Sequence, residues 1–443
     1  MTSPPALSDI GALLCTVSIL LIPLAGAGIS LINTGLGRSR SASHLMLSSI
    51  CIISSAALVY FVCGFSWQGY PGGPAYQFFL AGRGWNWIAS GPFFLRRIDL
   101  DGSPASLAAL LGIFSAGLAG LIPLGSGTDR WRLGAACAST TLLAGFTYPL
   151  FAHWVWGGGW LAQLSTVGGF GRGFVDAAGS STIQVVGGLT ALSIAWILGP
   201  RHGKYTAAGM PSAIPGHNSV LVSFGCLLAL IGWTGLNSAG AVLFSGVEPG
   251  SAVRVAINTA LSASSAALMA AAITRVRFGK PDASLTANGW IGGLAASSAA
   301  CAFVVPAEAI VIGGIAGALV TFSVEWFELR LSIDDPSGAI SAHGMAGLWG
   351  VVSVGLFGNV TQSGVSVTNA GNSGQLLAQF VGIATLIGFV LPLTYGVNWF
   401  LNRIYSQRVS SDGERQGMDL HELGAGAYPD FMTHSEEFTP HKL

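Results

Sequence analysis

Two stretches of the chain share one residue pattern: Asp176-Ala-Ala-Gly179-Ser-Ser-Thr-Ile-Gln184-Val-Val-Gly-Gly188 and Asp335-Pro-Ser-Gly338-Ala-Ile-Ser-Ala-His343-Gly-Met-Ala-Gly347. Both have the spacing Asp-x2-Gly-x4-(Gln or His)-x3-Gly, and each opens a hydrophobic segment. An ionisable residue at the entrance of a membrane segment is energetically costly, so it marks a candidate functional position. Because one copy lies in each half of the chain, the pattern predicts an internally repeated transport fold with its pathway between the halves.

The composition is typical of a membrane protein. Only 9% of the 443 residues are charged and 51% are hydrophobic, whereas about a quarter of the residues in a soluble domain are charged. Apolar runs long enough to cross about 30 Å of hydrocarbon recur along the chain. Eleven are predicted to be membrane helices: 9–33, 44–66, 104–126, 131–155, 176–199, 217–241, 250–274, 285–304, 308–329, 341–359 and 374–402. The predicted fold class is all-α, a polytopic membrane protein.

The distribution of charge predicts the orientation. Formal net charge is zero, which gives no basic surface for nucleic acid and no acidic surface for a cationic protein. Eleven spans put the termini on opposite sides, and most Lys and Arg residues fall in the loops and tail on the C-terminal side. The opposite loops hold only Arg83, Arg96, Arg97 and Arg172, with Arg254 near the outer end of the seventh span. The excess of positive charge predicts a cytoplasmic C-terminus and an external N-terminus.

Spans one to five and six to ten form the two predicted repeats, about 9–199 and 217–359. A unit of five spans ends on the side opposite its start, so the second unit is inserted upside down relative to the first. The eleventh span, 374–402, lies outside the repeat. We therefore expect a transmembrane domain over 1–404 and a cytoplasmic C-terminal tail over 405–443.

The inverted repeat places Asp176 and Asp335 near opposite faces of the membrane. Gln184 and His343 lie eight residues further along, about 12 Å of helix, and are expected to meet near the midplane. Residues 156–175 form a glycine-rich loop at the predicted outer mouth, and the outer loop 67–103 is rich in Gly, Pro and aromatic residues.

Six blocks of sequence resemble the ammonium transporter (Amt/Mep/Rh) family over essentially the whole chain. They are Ala152-His153-Trp154-Val155-Trp156-Gly157-Gly158-Gly159; Asp176-x-Ala178-Gly179; Gly232-Trp233-x-Gly235-x-Asn237; Asn258-Thr259; Asp334-Asp335-Pro336 with His343-Gly344-x-x-Gly347; and Gly417-Met418-Asp419 with Ala427-Tyr428. Their order and spacing make the resemblance specific. It implies a homotrimer in the plasma membrane that conducts ammonium or ammonia through one hydrophobic pore per subunit, without a cofactor or metal.

The resemblance implies a role for each matched residue. The indole of Trp156 would attract a cation at the outer mouth. Asp176 matches a buried carboxylate near that mouth, where it would lower the cost of cation entry and cap the fifth helix; asparagine there would keep the cap without the charge. Asp335 and Asn237 are expected to be structural positions on the inner side. His343 matches one of two pore histidines and can pass hydrogen bonds or a proton.

The chain also departs from the family at several positions. Gln184 replaces the second pore histidine, and an amide cannot accept and release a proton near neutral pH. The stacked phenyl gate falls at Ser115 (or, with a one-residue slip, Phe114) and at Leu236. The hydroxyl of the outer cation site falls at Gly240. In the tail, the family's His-Gly-Glu run reads Leu423-Gly424-Ala425.

Three functions fit these residues. The first is a conducting ammonium or ammonia transporter, which Trp156, Asp176 and His343 favour. The second is a non-conducting ammonium sensor that acts on a cytoplasmic regulatory protein through its tail, which the Gln184 exchange and the lost gate favour. The third is a pore repurposed for another small solute. An enzyme is not expected, because the chain lacks a nucleotide-binding loop, a zinc-binding helix and a nucleophile elbow.

Overall fold

The computed structural model describes residues 7–80, 82–360 and 371–428. Within these residues the chain forms eleven long helices that follow the predicted spans: α1 (Asp9–Leu36), α2 (Ser39–Gln68), α3 (Pro104–Gly127), α4 (Leu133–Val155), α5 (Ser180–Leu198), α6 (Ser219–Ser245), α7 (Pro249–Phe278), α8 (Ala283–Ala300), α9 (Pro306–Leu331), α10 (Ile340–Phe357) and α11 (Gly374–Ile404). Two short helical segments follow, α12 (Ser411–Gln416) and α13 (Asp419–Leu423). The predicted all-α class is confirmed.

Ten of the helices in the described residues are long and apolar enough to cross a membrane, and α8 is the exception. The predicted count of eleven membrane spans therefore exceeds this number by one. α8 is rich in Ala, Gly and Ser and is buried almost continuously from Ala287 to Ala300. It packs against α6, α7, α9 and α10. Because neighbouring helices rather than lipid cover these small side chains, α8 belongs to the interior of the bundle despite its modest hydropathy.

Helix packing follows the repeat that the shared motif predicts. α1 lies along its counterpart α6, and α3 packs on α5 as α8 packs on α10. A Cβ on Gly28 of α1 would lie 2.5 Å from the Gly225 carbonyl oxygen, and a Cβ on Gly225 would lie 2.6 Å from the Gly28 carbonyl oxygen. Glycine is therefore required on both sides of this close helix contact.

The loop between α2 and α3 contains a β-hairpin that the all-α prediction missed. Strand β1 (Ala75–Leu80) pairs antiparallel with β2 (Arg83–Ala89). The hairpin is fixed over α4, because Trp154 Nε1 donates a 2.6 Å hydrogen bond to the Trp87 carbonyl oxygen. Local composition suggested only a loop here, and the aromatic alternation along the two strands is the pattern that could have indicated the hairpin.

Buried charged side chains join both repeats at the end of the bundle that carries the C-terminal segment. Arg201 makes a bidentate contact with Asp334, with Nε–Oδ2 and Nη2–Oδ1 distances of 2.9 and 3.0 Å, and its Nη1 lies 3.0 Å from Asp129 Oδ2. Burial alone would raise the pKa of Asp334, but Arg130 and Arg201 lower it to about 2. These residues lie in the α3–α4, α5–α6 and α9–α10 connections, so the cluster ties the two halves together.

The segment after α11 packs against the same face. Arg408 donates to the Pro200 carbonyl oxygen at 2.8 Å and pairs with Glu414 at 2.8 Å. The Asp419 carboxylate accepts backbone N–H groups near the start of α2, and the Glu422 carboxylate accepts one at the start of α4. The predicted tail is therefore docked on the helix ends up to Tyr428, and residues 429–443 lie outside the described part of the chain.

The Arg201 cluster gives a stability prediction. Arg201→Ala leaves Asp334 and Asp129 buried without this partner, so we expect a loss of about 3–5 kcal/mol in the free energy of unfolding, measured in detergent. The folded pKa of Asp334 lies below its ordinary value of about 3.9, so its contribution is complete above about pH 4 and is lost as the pH falls towards 2.

The matched control is Arg277→Ala. Arg277 and Glu325 form a 2.7 Å ion pair with side chains 39% and 23% exposed, and we expect a loss of about 0–1 kcal/mol. Equal losses for the two variants would contradict a central role of the buried cluster.

Candidate functional site

Asp176 lies four residues before the start of α5, and its carboxylate accepts N–H groups at this helix start. Oδ1 accepts from the N–H groups of Gly179 and Ser180 at 2.7 and 3.0 Å. Oδ2 accepts from the N–H groups of Ser181 and Thr182 at 2.7 and 3.2 Å and from the Ser181 hydroxyl. Asp176 is 3% exposed. The expected capping geometry is present, and both carboxylate oxygens are engaged in it.

Asp335 occupies the equivalent place before α10. Its Oδ1 accepts from the Ser126 hydroxyl and its Oδ2 from the Ile340 N–H, both at 2.7 Å. Burial raises the pKa of this carboxyl, and the hydrogen bonds oppose the rise. The glycine of each motif copy turns the chain into its helix with a positive φ, +112° at Gly179 and +68° at Gly338, a conformation that favours glycine.

The last glycine of each motif copy lies where α5 and α10 cross. A Cβ on Gly188 would lie 2.5 Å from the Gly344 Cα, and a Cβ on Gly347 would lie 2.7 Å from the Ser180 carbonyl oxygen. Side chains at these positions would push the two backbones apart. The crossing therefore explains why the motif ends in glycine, and it brings the Gln and His positions of the two copies together.

Gln184 and His343 form a buried hydrogen bond at this crossing. His343 Nδ1 lies 2.7 Å from Gln184 Oε1. Gln184 is fully buried and His343 is 5% exposed, so neither side chain faces lipid. The prediction that the two side chains meet inside the bundle is confirmed. With the amide oxygen towards the ring, Nδ1 carries the ring proton and donates it.

The contact leaves one donor and one acceptor of the pair free. Gln184 Nε2 is buried and has no hydrogen-bond partner, and no residue in the described ranges bonds to His343 Nε2. The hydroxyls of Thr182 and Ser341, in the same motif copies, are also unpaired. Trp233 lies over the imidazole, with ring centroids 6.3 Å apart. Unpaired buried polar groups are uncommon, so the free atoms of Gln184 and His343 are suited to a small polar solute or water.

Trp156 lies at the predicted outer end of α4, beside a small cavity of about 110 Å³. Its indole stacks on the Phe244 ring, with centroids 4.4 Å apart and planes at 4°, and its Nε1 donates to the Asp176 carbonyl oxygen at 2.8 Å. Arg172 also lines the cavity. Sequence reasoning placed Trp156 and Asp176 here but missed Phe244, whose position near the end of α6 was its one indication.

The two predicted gate positions lie in the protein core. Ser115 of α3 and Leu236 of α6 are fully buried, and the Ser115 hydroxyl has no hydrogen-bond partner. The alternative, Phe114, is partly buried and packs against the hydrophobic core. The structure thus places small or aliphatic side chains at the two buried positions Ser115 and Leu236, and the match of these positions to the phenyl gate stays a prediction.

Asn237 and Gly240 place α6 against other parts of the bundle. Asn237 Nδ2 donates to the Thr259 hydroxyl at 2.8 Å and to the Ser297 hydroxyl at 3.2 Å, which ties α6 to α7 and α8. A Cβ on Gly240 would lie 2.8 Å from the Ala178 Cα. The segment before α5 therefore occupies the space that a side chain at position 240 would need, and the match of Gly240 to the hydroxyl of the outer cation site stays a prediction.

Comparisons with known proteins cover almost the whole chain. A family model described as Ammonium Transporter Family matches residues 12–428. Ammonium transporter Amt2 of Archaeoglobus fulgidus is 33% identical over 438 residues, which are 95% of this chain and 88% of that protein. Ammonium transporter 1 member 2 of Arabidopsis thaliana is 32% identical over 416 residues, with 88% and 78% covered.

Solved structures show the same fold. The structure named Sensor Amt Protein has a TM-score of 0.83 at 26% identity and covers 94% of this chain and 98% of its own. Candida albicans Mep2 has a TM-score of 0.78 at 22% identity, with 97% and 92% covered.

The Asp176 geometry gives a second prediction and corrects one expectation. Asparagine cannot keep this cap, because its NH2 group would face N–H donors that now bond to a carboxylate oxygen. We expect Asp176→Asn to lower the free energy of unfolding by about 1–3 kcal/mol, measured by denaturation in detergent.

Asp282→Asn is the control for this substitution. Asp282 caps α8 through one oxygen, which accepts from the Leu285 N–H at 2.8 Å, and asparagine is an equally good cap of that kind. We expect almost no change. An Asp176→Asn variant with an unchanged free energy of unfolding would show that the carboxylate is not needed to start α5.

Proposed function

Because the chain belongs to the Ammonium Transporter Family, we propose that it carries ammonium across the plasma membrane through a hydrophobic pore in each subunit. The observation that supports this most directly is the buried contact of Gln184 with His343 where two membrane helices cross. Both residues belong to copies of one motif, and their own free polar atoms can contact a small solute. The relatives described above are named as ammonium transporters, and we propose no catalysed reaction.

The free atoms of the pair suit ammonia better than the ammonium ion. Ammonia has one lone pair and three N–H groups, so it can accept from Gln184 Nε2 and donate to His343 Nε2. The ion has four N–H donors and no acceptor, and burying its charge without a counter-ion is strongly unfavourable. We infer that the neutral molecule passes the pair and that the proton is left on the entry side. Gln184 has an amide where a second imidazole would stand, and an amide does not titrate near neutral pH. The two side chains therefore cannot exchange a proton.

A non-conducting ammonium sensor is the second candidate. Two observations favour it: the fold resemblance to the protein named Sensor Amt Protein, and the docking of Arg408, Asp419 and Glu422 on helix ends of the bundle. A signal could pass from the bundle to a cytoplasmic partner through this docked segment. Flux separates the two candidates, because a sensor of this kind binds ammonium without transporting it.

We also propose a homotrimer with an external N-terminus and a cytoplasmic C-terminus. Four arginines that are predicted to be cytoplasmic lie close together at one end of the bundle: Arg38, Arg130, Arg201 and Arg408. Their proximity supports the placement of all four on the same side of the membrane. We expect a C-terminal tag to be accessible only in permeabilised cells and the detergent-solubilised assembly to have the mass of three subunits. A tag accessible from outside intact cells would contradict this topology.

The pore proposal predicts how the pair responds to substitution. His343→Ala removes the acceptor and leaves Gln184 Oε1 without its donor, a loss of about 1–3 kcal/mol, so we expect ammonium flux into liposomes to fall by about tenfold or more. Gln184→His restores a second imidazole and is expected to raise the flux or to sharpen discrimination against potassium.

His202→Ala controls for loss of a histidine, since His202 is exposed and lies outside the membrane helices; its flux should match wild type. If Gln184→His merely crowds the crossing, its flux will fall with that of His343→Ala. No flux in any protein, wild type included, would rule out the transporter and favour the sensor.

A further inference from the structure

Arg172 is held at the predicted outer mouth by a rigid turn. The glycines on either side of it have positive φ angles, +51° at Gly171 and +81° at Gly173. Its backbone N–H donates to Gln375 Oε1 at 3.0 Å, and Gln375 Nε2 donates to the Gly173 carbonyl oxygen at 2.9 Å. Gln375 belongs to α11 and is 2% exposed. The backbone of the turn is therefore fixed to a membrane helix, which places Arg172 beside the outer mouth.

The Arg172 side chain lines the 110 Å³ cavity together with Trp156, Asp176 and Phe244. In the described part of the chain, no acidic side chain lies within salt-bridge distance of its guanidinium. Asp176 is the acidic residue of this cavity, and its oxygens are taken up by the N–H groups of α5. Burial lowers the pKa of Arg172, but an arginine pKa begins so high that the group stays charged at neutral pH.

We propose that Arg172 is a specificity-determining residue, a fixed positive charge that lowers cation occupancy of the outer mouth. The proposal rests on the proposed function, in which ammonium leaves its proton at this mouth and ammonia reaches the pair of Gln184 and His343. The aromatic faces of Trp156 and Phe244 favour a cation, whereas the guanidinium repels it. The mouth thus admits neutral ammonia more readily than ammonium, methylammonium or potassium.

The size of the effect follows from the distance scale of the cavity. A unit charge several ångströms away at a partly solvated site changes cation occupancy by on the order of tenfold. The repulsion acts through solvent as well as protein, so it weakens as ionic strength rises. A packing role for Arg172 would show no such salt dependence.

The experiment compares Arg172→Gln, which removes the charge, with Arg172→Lys, which keeps it. Arg97→Gln is the control, because it removes a charge from another exposed outer loop. Two quantities are measured on the full-length protein: the ammonium concentration that half-maximally stabilises the detergent-solubilised protein against heat, and the concentration that half-saturates flux into liposomes. Each is measured at low and at high ionic strength.

We expect Arg172→Gln to lower both concentrations about tenfold at low ionic strength and less at high ionic strength, while Arg172→Lys and Arg97→Gln resemble wild type. Equal shifts in the Gln and Lys variants, or no shift in Arg172→Gln, would overturn the proposal. Tighter ammonium binding by Arg172→Gln without flux in any protein would support the charge effect and reject conduction. Absence of both stabilisation and flux in every protein would overturn both proposals.

Discussion

Backbone N–H groups at the start of a helix must find acceptors, and within a membrane protein water is scarce. The architecture depends on how the chain meets this constraint at α5 and α10. Asp176 supplies acceptors to four consecutive N–H groups, and Asp335 supplies one to the start of α10. These carboxylates fix where each helix begins. Because each helix begins at a fixed residue, Gln184 and His343, which lie eight positions after the two carboxylates, come to the crossing.

Close approach of the helices is the second condition. In a bilayer, helices associate largely through packing, and small residues let their backbones come close. Gly188 and Gly347 allow α5 and α10 to cross at the depth where Gln184 meets His343, and Gly28 and Gly225 bring α1 onto α6. A side chain at any of these positions would separate two helices. At Gly188 or Gly347 it would also lengthen the hydrogen bond on which the proposed pathway depends.

Much of this arrangement could be predicted from the sequence. Membrane helices follow from the length and composition of apolar runs, and the duplicated motif gave the meeting of Gln184 and His343, because symmetry-related positions meet at the centre of a repeat. Contacts between distant loops could not be predicted in this way. Three contacts depend on how remote segments pack: the stacking of Phe244 on Trp156, the approach of Ala178 to Gly240, and the anchoring of Arg172 by α11. The sequence predicts a helix cap at Asp176, but it does not predict that both carboxylate oxygens take part in the cap.

The central claim is that Gln184 and His343 present one free donor and one free acceptor to a neutral solute. Nitrogen-15 NMR of histidine-labelled protein in bilayers tests it directly, because the two ring nitrogens have different shifts when protonated and unprotonated. We expect a His343 ring protonated at Nδ1 and unprotonated at Nε2, with the Nε2 resonance moving when ammonium is added. A proton on Nε2 with an unprotonated Nδ1, or an Nε2 resonance indifferent to ammonium, would contradict it.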